Sequence, residues 1–278
     1  MTHPRHRQVR DLTLGFLTLG PQAVPLDVVE AAASAGFGAA GLRVSGRNPG
    51  DPWPSVDGRP GALVAVAQRA RELGVRVSSI SGYYLSERTG PEHLRANVVA
   101  ARLAGAPLIA QGCFAPALDR AASLLHGYAR AAADAGLRIA LEFMPMSSLK
   151  TIADAQRVIA DSRARNVGLL VDALHLVRSG AHPADLAMVD PATVYLAQLC
   201  DAPAERANGV SLFDEAMSGR MYVGDGGLDL AGLVDALPAG LELELETPVT
   251  ADAELPGPQR AQRAAAKAQA FFDRHWPA

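Results

Sequence analysis

The chain has little of what a secreted protein requires. Its 278 residues include two cysteines, Cys113 and Cys200, which lie far apart in the sequence and show no CxxC spacing. The N-terminal stretch MTHPRHRQVRDLTLGF has no apolar core of the roughly 7–15 residues that a secretory signal needs. We therefore expect a reduced, cytoplasmic protein.

Long apolar runs are also scarce, and positive charge is not in surplus, with 26 Lys and Arg residues against 29 Asp and Glu. No apolar run approaches the roughly 18 residues that a membrane-spanning helix needs, so we expect no membrane association. Lysine occurs only at Lys150 and Lys267, and the formal net charge is −3. A chain without a surplus of positive charge has no field that attracts a polyanion. A small-molecule substrate is therefore a better expectation than a nucleic acid.

A strand-helix unit recurs along the sequence. In the first half, Ala-rich helical sequence ends in Gly and is followed by a short apolar strand, as in AAASAGFGAAGLRV, AQRARELGVRVSSI, AARLAGAPLIAQ and ARAAADAGLRIALEF. Gly after a helix adopts the left-handed conformation that ends it. Strands that are apolar on both faces are typical of a parallel sheet covered by helices.

The pattern predicts eight strands with helices between them and a last helix over 257–275. The strands are predicted near 11–17, 39–44, 75–80, 107–111, 137–143, 167–172, 193–199 and 241–246. Eight such units without a linker predict one α/β domain over residues 1–278, a (β/α)8 TIM barrel. The alternative, a doubly wound open sheet, usually has a Gly-rich phosphate loop after the first strand, and LTLGPQAVP is not one.

Two long connections and one short helix stand out from the regular pattern. Residues 201–228 predict an extended loop after the seventh strand, and the helix predicted near 183–188 is short. The stretch SGRNPGDPWPSVDGRPG, residues 45–61, predicts a Gly/Pro-rich loop in which Trp53 is exposed. This loop is either a surface excursion or a wall of the active site, and the sequence leaves both interpretations open.

Polar residues stand where the predicted strands end. From the second strand to the eighth they are Arg43, Tyr83 and Tyr84, Gln111, Glu142, Asp172, Gln198 and Asp201, and Glu244 and Glu246. In a parallel barrel all strand C-termini open on the same face, where catalytic residues are placed. We therefore expect these side chains to surround one site, with Tyr83 and Gln111 as substrate-binding residues.

Three of these carboxylates predict a divalent metal site. A carboxylate within an apolar strand costs several kcal/mol unless it is paired or binds a cation. A metal would take oxygen ligands from Glu142, Asp172 and Glu246, with the amide oxygen of Gln198 as a fourth. This oxygen-rich set favours Mn²⁺ or Mg²⁺, with Co²⁺ or Zn²⁺ possible. The alternative is that each carboxylate pairs with an arginine at the rim.

The choice of ligand on the eighth strand depends on position. Alternation along a strand puts Glu242, Glu244 and Glu246 on the same side. Glu246 is nearest the C-terminal end and is taken as the ligand, with Glu244 as the alternative. His175, beside Asp172 in the predicted site, is expected to hold or polarise the substrate.

In combination, the motifs resemble a known family. The stretches IALEFMP, VGLLVDALHLVRSG, YLAQLCDAP, GRMYVGDGGLDL and LELETP resemble the sugar phosphate isomerase/epimerase group of xylose-isomerase-like TIM barrels, over residues 10 to 275. The resemblance implies a divalent metal held at strands five to eight by Glu, Asp, usually His, and Glu. The matching positions are Glu142, Asp172, Gln198 and Glu246, so Gln198 departs from the family pattern.

The resemblance also implies an activity. It predicts isomerisation or epimerisation of a keto-sugar, polyol or related hydroxy-carbonyl compound through an enediolate, with Glu142 and Glu246 as the proton-transferring residues. His175 would contact a substrate oxygen, and Arg220, before the GDG turn, would face the pocket. Asp225 in that turn argues against a phosphate group on the substrate.

Three other functions remain to be weighed against this one. The same residues would support a dehydratase or lyase of the inosose or 3-dehydroshikimate type. A second alternative is a degenerate, non-catalytic barrel, for which the sequence evidence is Gln198. Endonuclease IV shares the barrel but needs several His ligands and a basic groove, which this sequence lacks. Barrels of this kind often associate, so a homo-oligomer is possible.

Overall fold

Eight parallel strands form a closed barrel. The computed structural model describes residues 5–53, 56 and 58–277. The strands are β1 (Thr13–Gly15), β2 (Ala39–Arg43), β3 (Arg76–Ser81), β4 (Leu85–Ser86), β5 (Leu108–Gln111), β6 (Cys113–Phe114), β7 (Arg138–Glu142), β8 (Val167–Asp172), β9 (Val194–Leu199) and β10 (Leu243–Leu245). Around the barrel the order is β1-β2-β3-β5-β7-β8-β9-β10, and β10 pairs with β1. The predicted (β/α)8 barrel is therefore confirmed.

Helices follow the barrel strands and cover their outer faces. They are α1 (Pro25–Ala35), α2 (Pro60–Glu72), α3 (Pro91–Ala104), α4 (Leu118–Asp134), α5 (Ile152–Ser162), α6 (Ala173–Arg178), α7 (Leu212–Ser218), α8 (Leu230–Ala236) and α9 (Gly257–His275). Gly36 and Gly105 end α1 and α3 with φ values of 83° and 73°, in the left-handed region that favours glycine. No helix within the described ranges has both the length and the apolar character needed to cross a membrane.

The differences from the predicted elements are small and local. β1 is shorter than the predicted 11–17 because 3-10 helices flank it at Val9–Asp11 and Phe16–Leu19. The short helix predicted near 183–188 is a 3-10 helix, Pro183–Met188. The pairing of β4 with β6, a two-stranded sheet beside the barrel, was not predicted because two-residue strands leave no periodic pattern.

The loop predicted over 45–61 needs one correction. Trp53 is half-buried and packs against the core, with its ring 6.2 Å from that of Phe16, so the prediction that it is exposed was wrong. Its large apolar surface is covered by neighbouring side chains that the sequence pattern could not identify. Residues 54, 55 and 57 of this loop lie outside the described residues.

Two apolar regions build the core. The larger lies between the barrel and its helices, and it includes the C-terminal aromatic residues Phe271, Phe272 and Trp276, which are all buried. A smaller cluster consists of Leu108, Ala110, Ala140, Leu170 and Leu196. Ala140 and Leu196 lie two residues before Glu142 and Gln198, on the same side of their strands. This second cluster therefore forms the apolar floor of the polar site above it.

Candidate active site

Four strands deliver acidic and amide side chains to one end of the barrel. Glu142 ends β7, Asp172 ends β8, and Glu246 follows β10. Strand register sets Asp172 beside Gln198 and Gln198 beside Glu244. Glu142, Asp172 and Glu246 are 9%, 0% and 8% exposed. Glu142 and Glu246 line one cavity, and Asp172 lies behind its wall, where it contacts the cavity residues His175 and Arg220.

His175 is held next to these carboxylates by the start of α6. Asp172 is the N-cap of that helix, and its Oδ1 accepts a hydrogen bond from the His175 backbone N–H at 2.9 Å. The His175 Nε2 lies 3.6 Å from Glu142 Oε1. Burial lowers the pKa of His175 to about 4, so its imidazole is neutral at pH 7. Asp172 and His175 are three residues apart because Asp172 caps the first turn of α6, in which His175 lies.

Glu142, Asp172 and His175 form a group that fits a metal ion. One ligand atom from each of these residues lies within 4.8 Å of the others. Burial raises the pKa of Glu142 well above its usual value, and the charges of Glu246 and Asp172 raise it further. A bound cation would relieve this repulsion, since carboxylate and imidazole ligands suit a divalent ion.

Arg220 lies among the same carboxylates. Its Nη1 donates to Asp172 Oδ2 at 2.6 Å and its Nη2 lies 3.2 Å from Glu246 Oε2. Burial favours a higher pKa for Asp172, but the positive charge of Arg220 outweighs this effect, so the pKa of Asp172 is lowered overall. The rim-arginine alternative therefore holds in part. One guanidinium against three carboxylates still leaves negative charge for a cation to balance.

Gln198 takes part in the site through its amide nitrogen. The Nε2 donates to Glu244 Oε1 at 2.8 Å and to Glu246 Oε1 at 3.3 Å. An amide whose nitrogen is fixed by two carboxylates has a defined direction for its oxygen. Gln198 is therefore oriented by hydrogen bonds, and its role as the fourth ligand stays a prediction.

Glu244 lies deeper in the barrel than Glu246. Its Oε2 accepts from Ser79 Oγ at 3.1 Å, and burial raises its pKa to about 7. Gly41 and Gly15 make room for it, because a Cβ on Gly41 would meet the Glu244 carboxylate at 2.1 Å and one on Gly15 at 2.9 Å. The deeper position favours Glu246 as the residue that reaches the mouth of the site.

The site opens into a cavity of about 700 Å³ at the C-terminal end of the barrel. Its charged and hydrogen-bonding wall includes Glu142, His175, Gln198, Arg220, Glu244 and Glu246. Its remaining wall includes Phe114, Met144 and Met146 together with Arg43, Arg47 and Tyr84. Met217 and Phe213 of α7 close the far side. This open cavity has the mixed polar and apolar lining that is typical of small-molecule sites.

Two residues predicted to bind substrate lie elsewhere. The Gln111 amide nitrogen donates to the backbone oxygens of Tyr83 and Gly112 at 3.1 and 2.8 Å. The Tyr83 ring packs against the His93 ring at 5.1 Å. Neither residue is among the described residues that line the cavity, whereas Tyr84 is. The structure thus places Tyr83 and Gln111 outside the described cavity wall: Gln111 braces the backbone, and Tyr84 lines the cavity in place of Tyr83.

Arg178, at the end of α6, and Asp201, two residues after β9, stabilise the segment that carries Arg220. Arg178 donates from Nε and Nη2 to the Glu215 carboxylate at 2.9 and 2.8 Å, and so connects α6 to α7. Asp201 accepts hydrogen bonds from the backbone N–H groups of Gly224 and Leu228 at 3.1 and 3.0 Å. Neither side chain lies among the described residues of the cavity wall.

Arg47, Phe213 and Met217 are cavity residues that the sequence patterns did not reveal. Arg47 belongs to the Gly/Pro-rich loop after β2, which is therefore part of the cavity wall. Phe213 and Met217 belong to α7, in the segment predicted only as an extended loop. The one available signal was that both segments follow barrel strands, where active-site loops are found.

Comparisons with known proteins agree with this architecture. The family model described as xylose isomerase-like TIM barrel matches residues 29–274. The solved structure of the IolI protein with a bound zinc atom superposes with a TM-score of 0.77 at 16% identity, covering 96% of this chain and 99% of that one. No curated protein sequence gives a significant match.

Two further solved structures share the barrel. L-ribulose 3-epimerase has a TM-score of 0.69 at 20% identity, with 95% of this chain and 93% of that one covered. The probable 3-DHS dehydratase AsbF from Bacillus anthracis has a TM-score of 0.68 at 13% identity, with 94% and 97% covered. At such identities the likeness establishes the fold alone.

Fold and site together define a TIM barrel with a carboxylate-rich pocket at the C-terminal ends of its strands. The extent of the family match then identifies the chain as a member of the xylose isomerase-like TIM barrel family.

Proposed function

We propose that this protein is a divalent-metal-dependent isomerase or epimerase of a keto-sugar, polyol or related hydroxy-carbonyl compound. The observation that carries the proposal is a group of buried carboxylates with a neutral imidazole beside them: Glu142 and Glu246 line one cavity, and Asp172 lies within 4.8 Å of Glu142 and His175. Buried charges of one sign are rare in proteins unless a cation or a catalytic role accounts for them.

The metal would be held by Glu142, Asp172 and Glu246, with Gln198 or His175 completing the set. When bound, it would supply Lewis acidity that makes the proton next to a substrate carbonyl easier to remove. The IolI structure holds zinc, and the oxygen-rich ligands here also favour Mn²⁺ or Mg²⁺.

Proton transfer is assigned to Glu142 and Glu246. They lie on β7 and just past β10, with β8 and β9 between them, so they approach a bound substrate from different sides. The raised pKa of Glu142, caused by burial and then by neighbouring carboxylates, makes it a stronger base than an exposed carboxylate. One residue would remove the carbon-bound proton and the other would return it, with an enediolate between the two steps.

His175 and Arg220 would orient the substrate. Where Gln198 completes the metal set, the neutral imidazole of His175 would bind a substrate oxygen by one hydrogen bond. Arg220 is fixed by its contacts with Asp172 and Glu246 and would keep these carboxylates ionised and in place. The apolar floor, which includes Leu170 and Ala110, would limit the access of water to the reacting carbon.

Solvent deuterium exchange tests the proposal. Ketoses and cyclitols would be incubated in D₂O with Mn²⁺-loaded protein and followed by ¹H NMR. We expect exchange of the proton next to the carbonyl, and its rate should fall roughly 10²–10⁴-fold in Glu142→Gln and in Glu246→Gln. Glu242→Gln is the matched control, since Glu242 is on the same strand segment but pairs with Arg76 at 3.1 Å.

The same experiment separates the alternatives. Loss of a β-hydroxyl with formation of an unsaturated product would identify a dehydratase, for which the probable 3-DHS dehydratase is a structural precedent of the fold. Absence of exchange and of elimination across the panel, with metal bound, would contradict the isomerase proposal.

A further inference from the structure

Two arginines stand in the cavity wall at the end of β2 and in the loop that follows it. Arg43 is buried, and its Nε and Nη2 donate to the backbone oxygens of Ser45 and Gly82 at 2.6 and 3.3 Å. Arg47 is half-buried and lines the cavity. The Arg43 guanidinium is thus hydrogen-bonded mainly to backbone carbonyl oxygens, whereas the Arg47 side chain lines the cavity.

Aromatic rings surround the Arg47 guanidinium. Its central carbon lies 5.0 Å from the Trp53 ring centroid, 5.8 Å from that of Tyr84 and 5.4 Å from that of Phe213. Such contacts hold a guanidinium in place without using its N–H groups. The donors at the edge of the group therefore remain available to a ligand.

The hydrogen bonds that Arg47 makes also indicate that its N–H donors are available to a ligand. Its Nη2 lies 3.1 Å from the Met217 sulfur, which is a weak acceptor. Its buried Nε has no hydrogen-bond partner. Within residues 5–53, 56 and 58–277, no carboxylate lies within 4.0 Å of this guanidinium. A half-buried guanidinium in this state is ready to bind an anion.

The positive charge of Arg47 lies in the wall of the same cavity as Glu142 and Glu246. Arg47 favours a lower pKa for both Glu142 and Glu246, although burial keeps the pKa of each raised overall. The cavity wall therefore combines the proton-transferring carboxylates, from β7 and the end of β10, with a cation held among the rings of Trp53, Tyr84 and Phe213. A substrate that spans the cavity would present its reacting carbons to the carboxylates and a negative group to the cation.

We propose that Arg47 is an anion-binding residue and that the substrate is a hydroxy-carbonyl compound bearing a carboxylate. This inference rests on the proposed function, because it assigns the substrate class of the same site. A single planar guanidinium matches a carboxylate, which carries one charge and accepts two parallel hydrogen bonds. A phosphate monoester would bring a second negative charge towards Glu142 and Glu246, so the carboxylate is the better match.

A pair of probes tests the inference. D-gluconate and D-glucitol are six-carbon polyols that differ in one carboxylate, and the binding of each to Mn²⁺-loaded protein would be measured by calorimetry. We expect gluconate to bind more tightly than glucitol, and this preference to fall roughly tenfold or more in Arg47→Met. Chelation of the metal by gluconate contributes equally to both proteins, so the difference reports on Arg47. Arg47→Lys should retain part of the preference, since it keeps the charge and loses the planar fork.

Arg88→Met is the matched control, because Arg88 is exposed and pairs with Asp51 at 3.3 Å outside the cavity wall. It should leave the preference unchanged. Thermal unfolding of each variant verifies that it is folded.

Three results would overturn the inference. The first is no preference for gluconate in the unaltered protein, and the second is an equal preference in Arg47→Met. The third is that inorganic phosphate competes with gluconate more strongly than acetate does. That result would indicate that Arg47 binds a phosphate group of the substrate. Mn²⁺ affinity, titrated in the same samples, separates these results from failure of the metal proposal. If the protein binds no metal, the gluconate comparison on metal-free protein still tests Arg47.

Discussion

At the scale of single residues, Gln198 is the position that most affects the metal site. The family that the surrounding motifs resemble usually has His at this position. Here the position is Gln198, and its side chain is oriented by hydrogen bonds to Glu244 and Glu246. An amide oxygen is a weaker ligand than an imidazole for borderline metals such as Zn²⁺ or Co²⁺. This substitution would therefore shift the preference of the site towards harder ions.

Gln198→His should tighten Zn²⁺ binding by about tenfold, because an imidazole is the stronger donor for that ion. Glu244 would accept a hydrogen bond from the other ring nitrogen, as metal-bound histidines usually require. Competition with a fluorescent chelator measures the affinity. Gln198→Ala is the control and should weaken binding. Equal affinity in all three proteins would show that β9 contributes no ligand.

Single residues were also where the sequence was least informative. The carboxylates could be predicted because each ends an apolar strand, and parallel strands end at one face. Tyr83 and Tyr84 could not be separated, since the direction of each side chain depends on the turn into β4. Arg47 lies in an irregular loop, where no periodicity relates a residue to the cavity.

At the scale of secondary structure elements, a glycine on β2 leaves space for a large side chain on β10. Gly41 on β2 leaves the space that the Glu244 carboxylate occupies, with a would-be Cβ only 2.1 Å from Glu244 Oε2. The Ser79 hydroxyl on β3 lies 3.1 Å from that Cβ position and limits sideways movement. A glycine in the middle of a strand is thus explained by a neighbour across the barrel.

Gly41→Ala should destabilise the protein by roughly 1–3 kcal/mol, because the added methyl group displaces a buried carboxylate. In a Glu244→Ala background the same change should cost much less. Urea unfolding in EDTA measures all four proteins of this double-mutant cycle. An equal cost in both backgrounds would mean that Glu244 does not fill the space beside Gly41.

Helices and strands could be predicted from the sequence where their hydrophobic patterns extend over many residues. The last helix runs over the predicted residues 257–275 because its Ala-rich pattern is continuous. The eight barrel strands were found because glycine-capped helices separate many of them. β4 and β6 were missed because each has two residues.

At the scale of the whole molecule, a buried ion pair connects the segment after β9 to α6. Arg178 and Glu215 have side chains that are 8% and 5% exposed, and Arg178 also donates to the backbone oxygens of Pro203 and Ala204. Residues 200–242, between β9 and β10, include no barrel strand, so this segment depends on such contacts to bring Arg220 to the site.

Arg178→Met should lower the free energy of unfolding by roughly 3–5 kcal/mol, since it leaves the Glu215 carboxylate buried without its partner. The double variant Arg178→Met, Glu215→Leu should recover most of this loss. Urea denaturation provides the values. If Arg178→Met is as stable as the unaltered protein, the ion pair does not hold this segment in place.

Metal binding to the whole protein is the most direct test of the proposed site. Metal content would be measured after purification without added metal, and thermal unfolding would be recorded in EDTA and in Mn²⁺. At a hundredfold excess over its dissociation constant, a bound ion stabilises by about 2.7 kcal/mol, which raises the Tm by roughly 5–10 °C for a chain of this size.

We expect about one metal ion per chain in the unaltered protein and in Glu242→Gln, and a Tm that rises with Mn²⁺. Glu142→Gln should lose the metal and the Mn²⁺ response, yet be at least as stable as the unaltered protein in EDTA, because a repelling carboxylate is removed. Glu246→Gln should also lose the Mn²⁺ response. A protein that holds no metal and shows no Tm shift with Mn²⁺ would contradict a metal-dependent enzyme.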